Sequence, residues 1–225
     1  MNDDALPYPS IPIGLIQMTK DDVEYMDKIK AFEQLDALHA NASEAFGKAI
    51  AKHGGCACGI DCPACCREPV YTSRLEAERI VALLDGAQKE ALKAKLAIWL
   101  KAFYISGQAA EERPKVFTYI PAVPACPLLD GTRCGVYEHR PIECRAHFAL
   151  KHRSYCEDLE KRKEQKHAYF SDELMTQICH LNLQIEGGLV MDHLCVLLAE
   201  ILIGPQPTTA ARLEIVVENE KENAA

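Results

Sequence analysis

A mostly α-helical fold is what this sequence predicts: one helical domain with irregular cysteine-bearing loops and one small β-hairpin. Three observations carry the expectation. Long stretches repeat apolar residues at helical spacing, and no β-α-β alternation or internal repeat is present. Eight of the eleven cysteines fall in two Gly- and Pro-containing stretches between those helical patterns. At 225 residues the chain is long enough for one large domain.

Taken in order, residues 1–19 form an extended segment, because Pro7, Pro9 and Pro12 prevent a helix. A single domain spans 20–204, and 205–225 is a C-terminal tail. The domain opens with a helix to His53 carrying Val23, Met26, Ile29, Phe32, Leu35, Leu38, Phe46 and Ile50. A break is expected near Asn41–Ser43, and Gly54-Gly55 end the helix. After the first cysteine group, Ser73 and Glu76 stand as S-x-x-E, a capping box, ahead of Leu75, Ile80, Val81 and Leu84. Asp85-Gly86 closes that helix. The next, from about Ala87 to Gln108, carries Leu92, Leu96, Trp99, Leu100 and Phe103.

The proline-punctuated stretch PKVFTYIPAVPACP reads as extended. Asp130-Gly131 signals a tight turn that would set Cys126 and Cys134 across a small hairpin. Pro141 suits the first turn of a short helix with Cys144, Arg145 and His147. Residues 157–185 are helical and end at Gly187-Gly188. The stretch GLVMDHLCVLLAEILIG reads as a last, buried helix whose polar stripe is Asp192, His193 and Glu200. It is too short for a membrane span.

With 25 basic against 33 acidic residues, a net charge of −8, nucleic acid is not expected as the main partner. The acidic, proline-bearing N-terminus lacks the basic and apolar regions of a secretory signal, which predicts a cytoplasmic protein. In that compartment eleven cysteines do not read as a disulfide framework. Clustered reduced thiols there are metal ligands or redox centres.

Residues 56–66 read CACGIDCPACC, with Cys58, Cys62, Cys65 and Cys66 spaced C-x3-C-x2-C-C. Thiolates bind zinc and iron–sulfur clusters, and ligands two or three residues apart reach one ion through a tight turn. Residues 126–145 add Cys126, Cys134 and Cys144, enough to complete a site that ties two parts of the fold together. Adjacent Cys65 and Cys66 seldom chelate one ion together, so they indicate either a polynuclear site or one ligand beside a spectator thiol. Cys156, Cys179 and Cys195 lie singly on apolar faces and read as core packing. Cys56 is unassigned. Arg67, Arg133 and Arg145 adjoin cysteines and are candidates to donate N–H to a negatively charged centre. Lone His139 and His147 read as packed or hydrogen-bonded side chains rather than ligands. Arg140, before Pro141, fits a donor beside the cluster and equally a structural anchor to a carboxylate, and nothing fixes Tyr137 or Glu143 as acid–base groups.

The run Cys58-x3-Cys62-x2-Cys65-Cys66-Arg67, then CPLL, CGVY and RPIECR, resembles the YkgJ-like family of zinc- or iron-chelating cysteine-cluster proteins. The resemblance covers about residues 54–148. It implies metal binding by Cys58, Cys62, Cys65, Cys66, Cys126, Cys134 and Cys144, with Arg67 and Arg145 beside the cofactor. The cofactor is then zinc or iron, a [4Fe-4S] cluster being one form, and no substrate follows. Two functions stay open: a redox or peptide-modifying metalloprotein, and a non-enzymatic adaptor stapled by structural zinc that binds a protein partner. C-x3-C-x2-C is also the radical S-adenosylmethionine signature, but the helical surroundings do not match a β/α barrel.

Overall fold

The computed structural model describes residues 27–52, 54–67, 70–105, 124–149, 172–186, 188–209 and 212–216. The expectations for 1–26, Val23 and Met26 among them, for the end of the helix at 106–108, for 114–123, for the charged half of the 157–185 helix and for Cys156 lie outside the described residues. Within them the fold is mostly α, as the sequence predicts.

Helix α1 (Lys28–Lys52) starts where the Asp27 carboxylate accepts from the backbone N–H of Ile29 and Lys30, both at 3.0 Å. It runs unbroken through Asn41–Ser43, because the Ser43 hydroxyl donates back to the His39 carbonyl at 2.8 Å instead of leaving the helix. It ends at Gly54 and Gly55, both at positive φ, as their spacing predicts. The buried stripe is Ala31, Leu35, His39, Ala42 and Phe46, while Ile29 is exposed. Of the described residues in the repeat, Leu35 and Phe46 are buried and Phe32, Leu38 and Ile50 pack against the cores, so only Ile29 is misplaced, while Ala31, His39 and Ala42 are buried positions the repeat passes over.

β1 (Tyr71–Ser73) leads into α2 (Arg74–Leu83), whose Ser73–Glu76 capping box is present as expected. Asp85 then opens a helix rather than closing one. Its carboxylate accepts from Gln88 N at 2.8 Å while the Gln88 side chain accepts from Asp85 N at 2.9 Å, a reciprocal cap on α3 (Gly86–Ile105). All five apolar residues assigned to α3, Leu92, Leu96, Trp99, Leu100 and Phe103, are buried.

β2 (Leu129–Asp130) and β3 (Arg133–Cys134) form the expected hairpin, with Gly131 at φ 59° in its turn. Leu129, not Cys126, stands opposite Cys134. Cys126 lies before the strand, where its carbonyl accepts from Leu129 N at 2.9 Å. A 3-10 turn (Tyr137–His139) and α4 (Ile142–Ala146, with Pro141 at its N-cap) follow.

After α5 (Asp172–Glu186), the expected last helix splits into strand β4 (Gly188–His193) and helix α6 (Leu194–Leu202). β4 is the centre of an antiparallel sheet, order β1-β4-β5, with β5 (Leu213–Val216) supplied by the stretch expected as a tail. Thr72 pairs with Asp192, and Val190 with Glu214. A continuous apolar run fits either a buried helix or a central strand, and only the two distant partner strands decide.

One core packs α2, α3 and α6 together, with Trp99 and Phe103 stacked at 4.8 Å. A second joins Ala42 and Phe46 of α1 to Ile142 and Ala146 of α4, Phe148, and Ile178 of α5. Each fully buried large side chain contributes about 1.5–3 kcal/mol. Cys126 and Cys134 pack against the first core, and Cys56 and Cys58 against the second. The cysteine-bearing loops thus sit where the two cores meet. No helix among the described residues is long and apolar enough to cross a membrane.

Candidate metal centre

The first cysteine loop is built from short-range turns: Cys62 N donates to Gly59 O at 3.0 Å and Cys66 N to Pro63 O at 3.1 Å. The second turn lies in a 3-10 helix (Ala64–Arg67) that carries Cys65 and Cys66. Backbone hydrogen bonds then bring the remote segments to it. Cys126 N donates to Cys66 O at 2.6 Å, joining the two cysteine groups directly. Ala57 N donates to Ala149 O at 2.9 Å, and Ala149 N donates to the Cys58 sulfur at 3.1 Å. Leu194 N donates to Val70 O at 2.7 Å, which fixes the start of α6 beside the first group.

Cys144 is brought in by α4, and α4 is anchored by two carboxylates. Glu143 accepts from Tyr71 N, and Ile142 N donates to Glu76 at 2.9 Å. The Glu76 carboxylate is almost fully buried and also accepts from His39 Nε2 at 3.0 Å, Thr72 Oγ1 at 2.6 Å, and Ser73 N and Oγ at 3.2 and 3.1 Å. Burial alone would raise its pKa. The His39 hydrogen bond and charge, with Thr72 and Ile142, outweigh that and hold it down at about 2.

The result is one cavity of about 110 Å³. All seven cysteines named from the sequence line it: Cys58, Cys62, Cys65 and Cys66 from the first group, and Cys126, Cys134 and Cys144 from the second. Cys195 lines it too. It was read as simple core packing, and it is buried, but its position at the start of α6 also turns it to the cavity. Cys195 stands alone on an apolar run with no other cysteine at ligand spacing, so it carries no sequence signal of this position. Cys179 is buried in α5 away from the cavity, and burial pushes its thiol up to about 12. Cys56 packs against the second core and does not line the cavity.

Electrostatics divide the thiols. The Cys195 thiol is held neutral by burial and donates to the Cys126 sulfur, which lowers the Cys126 pKa. Burial raises Cys144 well above its ordinary value, and the thiolates of Cys65, Cys126 and Cys134 raise it further. Burial likewise raises Cys134. Thiols that oppose one another's ionisation in a buried space are a set that a cation would neutralise. Among the described residues, no three His, Cys, Asp or Glu side chains are drawn together as tightly as one ion requires. Eight cysteines line the one cavity. The donor set, and the backbone N–H on the Cys58 sulfur, fit a thiolate-bound metal.

The arginines sort differently from their sequence neighbourhood. Arg67 is exposed and does not line the cavity, and Arg133 is exposed with Asp61 at 3.9 Å. Arg145 is occupied by the carbonyls of Arg140 (2.8 Å) and Glu138 and by Ser43 Oγ (2.7 Å). Arg140 does line the cavity, with its guanidinium 3.7 Å above the Tyr137 ring. Tyr137, Glu143 and His147 line it as well, whereas His139 faces Asp36 at 3.7 Å.

The family model CxxCxxCC, described as a "putative zinc- or iron-chelating domain", matches residues 55–195, more than half of the chain. The chain belongs to the CxxCxxCC family. The matched span begins beside Cys56 and ends at Cys195, so it takes in every cysteine that lines the cavity. The family description supports chelation of zinc or iron by this domain. No curated protein and no solved structure matches the chain.

Proposed function

We propose that the protein holds zinc or iron at a polynuclear thiolate centre in this cavity, with an iron–sulfur cluster such as [4Fe-4S] as the iron form. The observation that carries the reading is the number of sulfurs round one space. Four thiolates close a structural zinc site, and here eight thiols line a single cavity, the adjacent Cys65 and Cys66 among them. The ligands would be drawn from Cys58, Cys62, Cys65, Cys66, Cys126, Cys134 and Cys144, with Cys195 hydrogen-bonded to Cys126. The non-cysteine wall of Tyr137, Arg140, Glu143 and His147 leaves polar groups beside the centre, which favours redox chemistry or modification of a small or peptide substrate over a purely closed site. The metal would supply electron transfer or Lewis acidity. The chain's own residues supply the sulfur ligands, exclude water through Trp99, Leu128 and Leu194, and hold the site rigid through Glu76.

One observation favours a second reading, a non-enzymatic adaptor stapled by structural zinc. Trp99, Leu128, Val136 and Leu194 belong both to the cavity wall and to the main core, so a bound metal would support folding directly. Metal and acid-labile sulfide analysis of protein purified without oxygen, with an absorption spectrum, separates the two. Iron, sulfide and a broad band near ~400 nm support the cluster. Colourless protein with stoichiometric, non-exchanging zinc supports the adaptor, and metal-free protein that takes up neither overturns both.

A further inference from the structure

We infer that Arg140 is the cation of the thiolate centre: Tyr137 holds the face of its guanidinium, and its in-plane N–H groups donate to ligand sulfur. The inference rests on the metal–thiolate reading above. Several thiolates on one or two metal ions leave net negative charge in a buried space, and a charge there needs a partner that is already desolvated. Among the described residues, Arg140 is the one Lys or Arg that lines the cavity. The alternatives are committed elsewhere, Arg145 to two carbonyls and Ser43, and Lys95 to the Leu129 carbonyl at 3.4 Å.

The geometry of the stack sharpens the assignment. With Cζ 3.7 Å from the ring centroid, the Tyr137 ring engages the face of the guanidinium and leaves the N–H edge unused. Arg140 Nε is buried and has no hydrogen-bond partner among the described residues. Buried donors are paired almost without exception in native proteins. The acceptors round the cavity are chiefly the cysteine sulfurs; the Glu143 carboxylate, which also lines it, already accepts from Tyr71 N. Arg140 is held for this by its place between the 3-10 turn that carries Tyr137 and the helix that carries Cys144.

The test measures zinc affinity by competition with a chromophoric chelator, and the sulfur-to-metal charge-transfer bands of the cobalt(II)-loaded protein. Variants are R140M, R140K, Y137L and, as an off-cavity control, R67M, each checked by circular dichroism without metal. R140M is expected to weaken zinc by about 10- to 100-fold, the usual effect of removing an outer-shell donor, and to shift the cobalt bands. R140K and Y137L should fall between R140M and wild type, and R67M should match wild type. If R140M does not fold, R140K and Y137L decide by the same readouts. A wild type that binds metal alongside an R140M within twofold, with unchanged bands, overturns the role of Arg140 and leaves the metal centre standing. Cobalt bands that move when acetate is added to wild type but not to R140M would show that Arg140 holds an exogenous anion instead, and would also overturn it. A wild type that binds neither metal overturns the metal centre itself.

Discussion

Glu76→Gln is the substitution that tests how the fold holds its site. The wild-type carboxylate divides five hydrogen bonds between its oxygens: Oε1 accepts from His39 and Ile142 N, and Oε2 from Thr72 and from Ser73 N and Oγ. Glutamine has the same shape but turns one acceptor into an NH2 donor. Whichever way it sits, a buried backbone N–H loses its acceptor, Ile142 in one orientation and Ser73 in the other. Two routes give the magnitude. Leaving a buried donor without its acceptor costs about 1–3 kcal/mol, and more where the group is charged. Independently, Glu76 is depressed from 4.5 to about 2, a linkage contribution of about 3 kcal/mol at about 1.4 kcal/mol per pKa unit. Because the folded value lies below the unfolded one, this stability is present above about pH 4.5 and is lost as pH falls through about 2. Urea unfolding at pH 7 should therefore show E76Q destabilised by about 3 kcal/mol. Between about pH 4.5 and 2 the wild type should lose most of that advantage while the variant lacks this part of the acid limb. A variant within about 1 kcal/mol of wild type, or one with the same acid limb, would refute the account.

Cys144→Ser should lose bound metal and much of the thermal stability together, since binding and folding are coupled here; elemental analysis and a melting curve check it, and retention of both removes Cys144 from the ligand set. Cys62→Ser should behave likewise in metal content. Cys195→Ser should alter the charge-transfer spectrum of the loaded protein through its contact with Cys126, whereas Cys179→Ala should leave stoichiometry and spectrum alone and cost about 1 kcal/mol in stability. A fall in metal content in Cys179→Ala would show that the described geometry misses a ligand.

What the sequence made legible was local. The capping box at Ser73, the five buried positions of α3, the glycine stop after α1 and the Asp130-Gly131 turn all follow from residues within one helical turn or one hairpin. What it hid was long-range. Leu189 to His193 reads as helix because its partners, Tyr71–Ser73 and Leu213–Val216, lie far off in sequence. Glu76 was visible as a cap, but the His39 and Ile142 bonds that make it a hub join positions 37 and 66 residues away. The same limit governed the site. Seven cavity cysteines announced themselves by spacing, while Cys195, alone on an apolar run, did not, and sequence adjacency chose Arg67 and Arg145 where the cavity holds Arg140.

The contrast between the two halves of the cavity explains why both a catalytic and a structural role are physically reasonable. The cysteine segments have little regular structure of their own: a four-residue 3-10 turn, two strands of two residues and a helix of five. Such elements are not stable alone and borrow their positions. On one side they borrow from α3 and α6, whose Trp99 and Leu194 form a fixed apolar wall. On the other they borrow from single hydrogen bonds, Cys126 N to Cys66 O, Ile142 N to Glu76 and Ala149 N to the Cys58 sulfur. A metal bound between the sulfurs would add a link where the chain supplies fewest, so the free energy of binding would appear largely as order in these loops. The cysteine loops would therefore draw most of their order from bound metal, and a catalytic centre and a structural staple would both depend on that order.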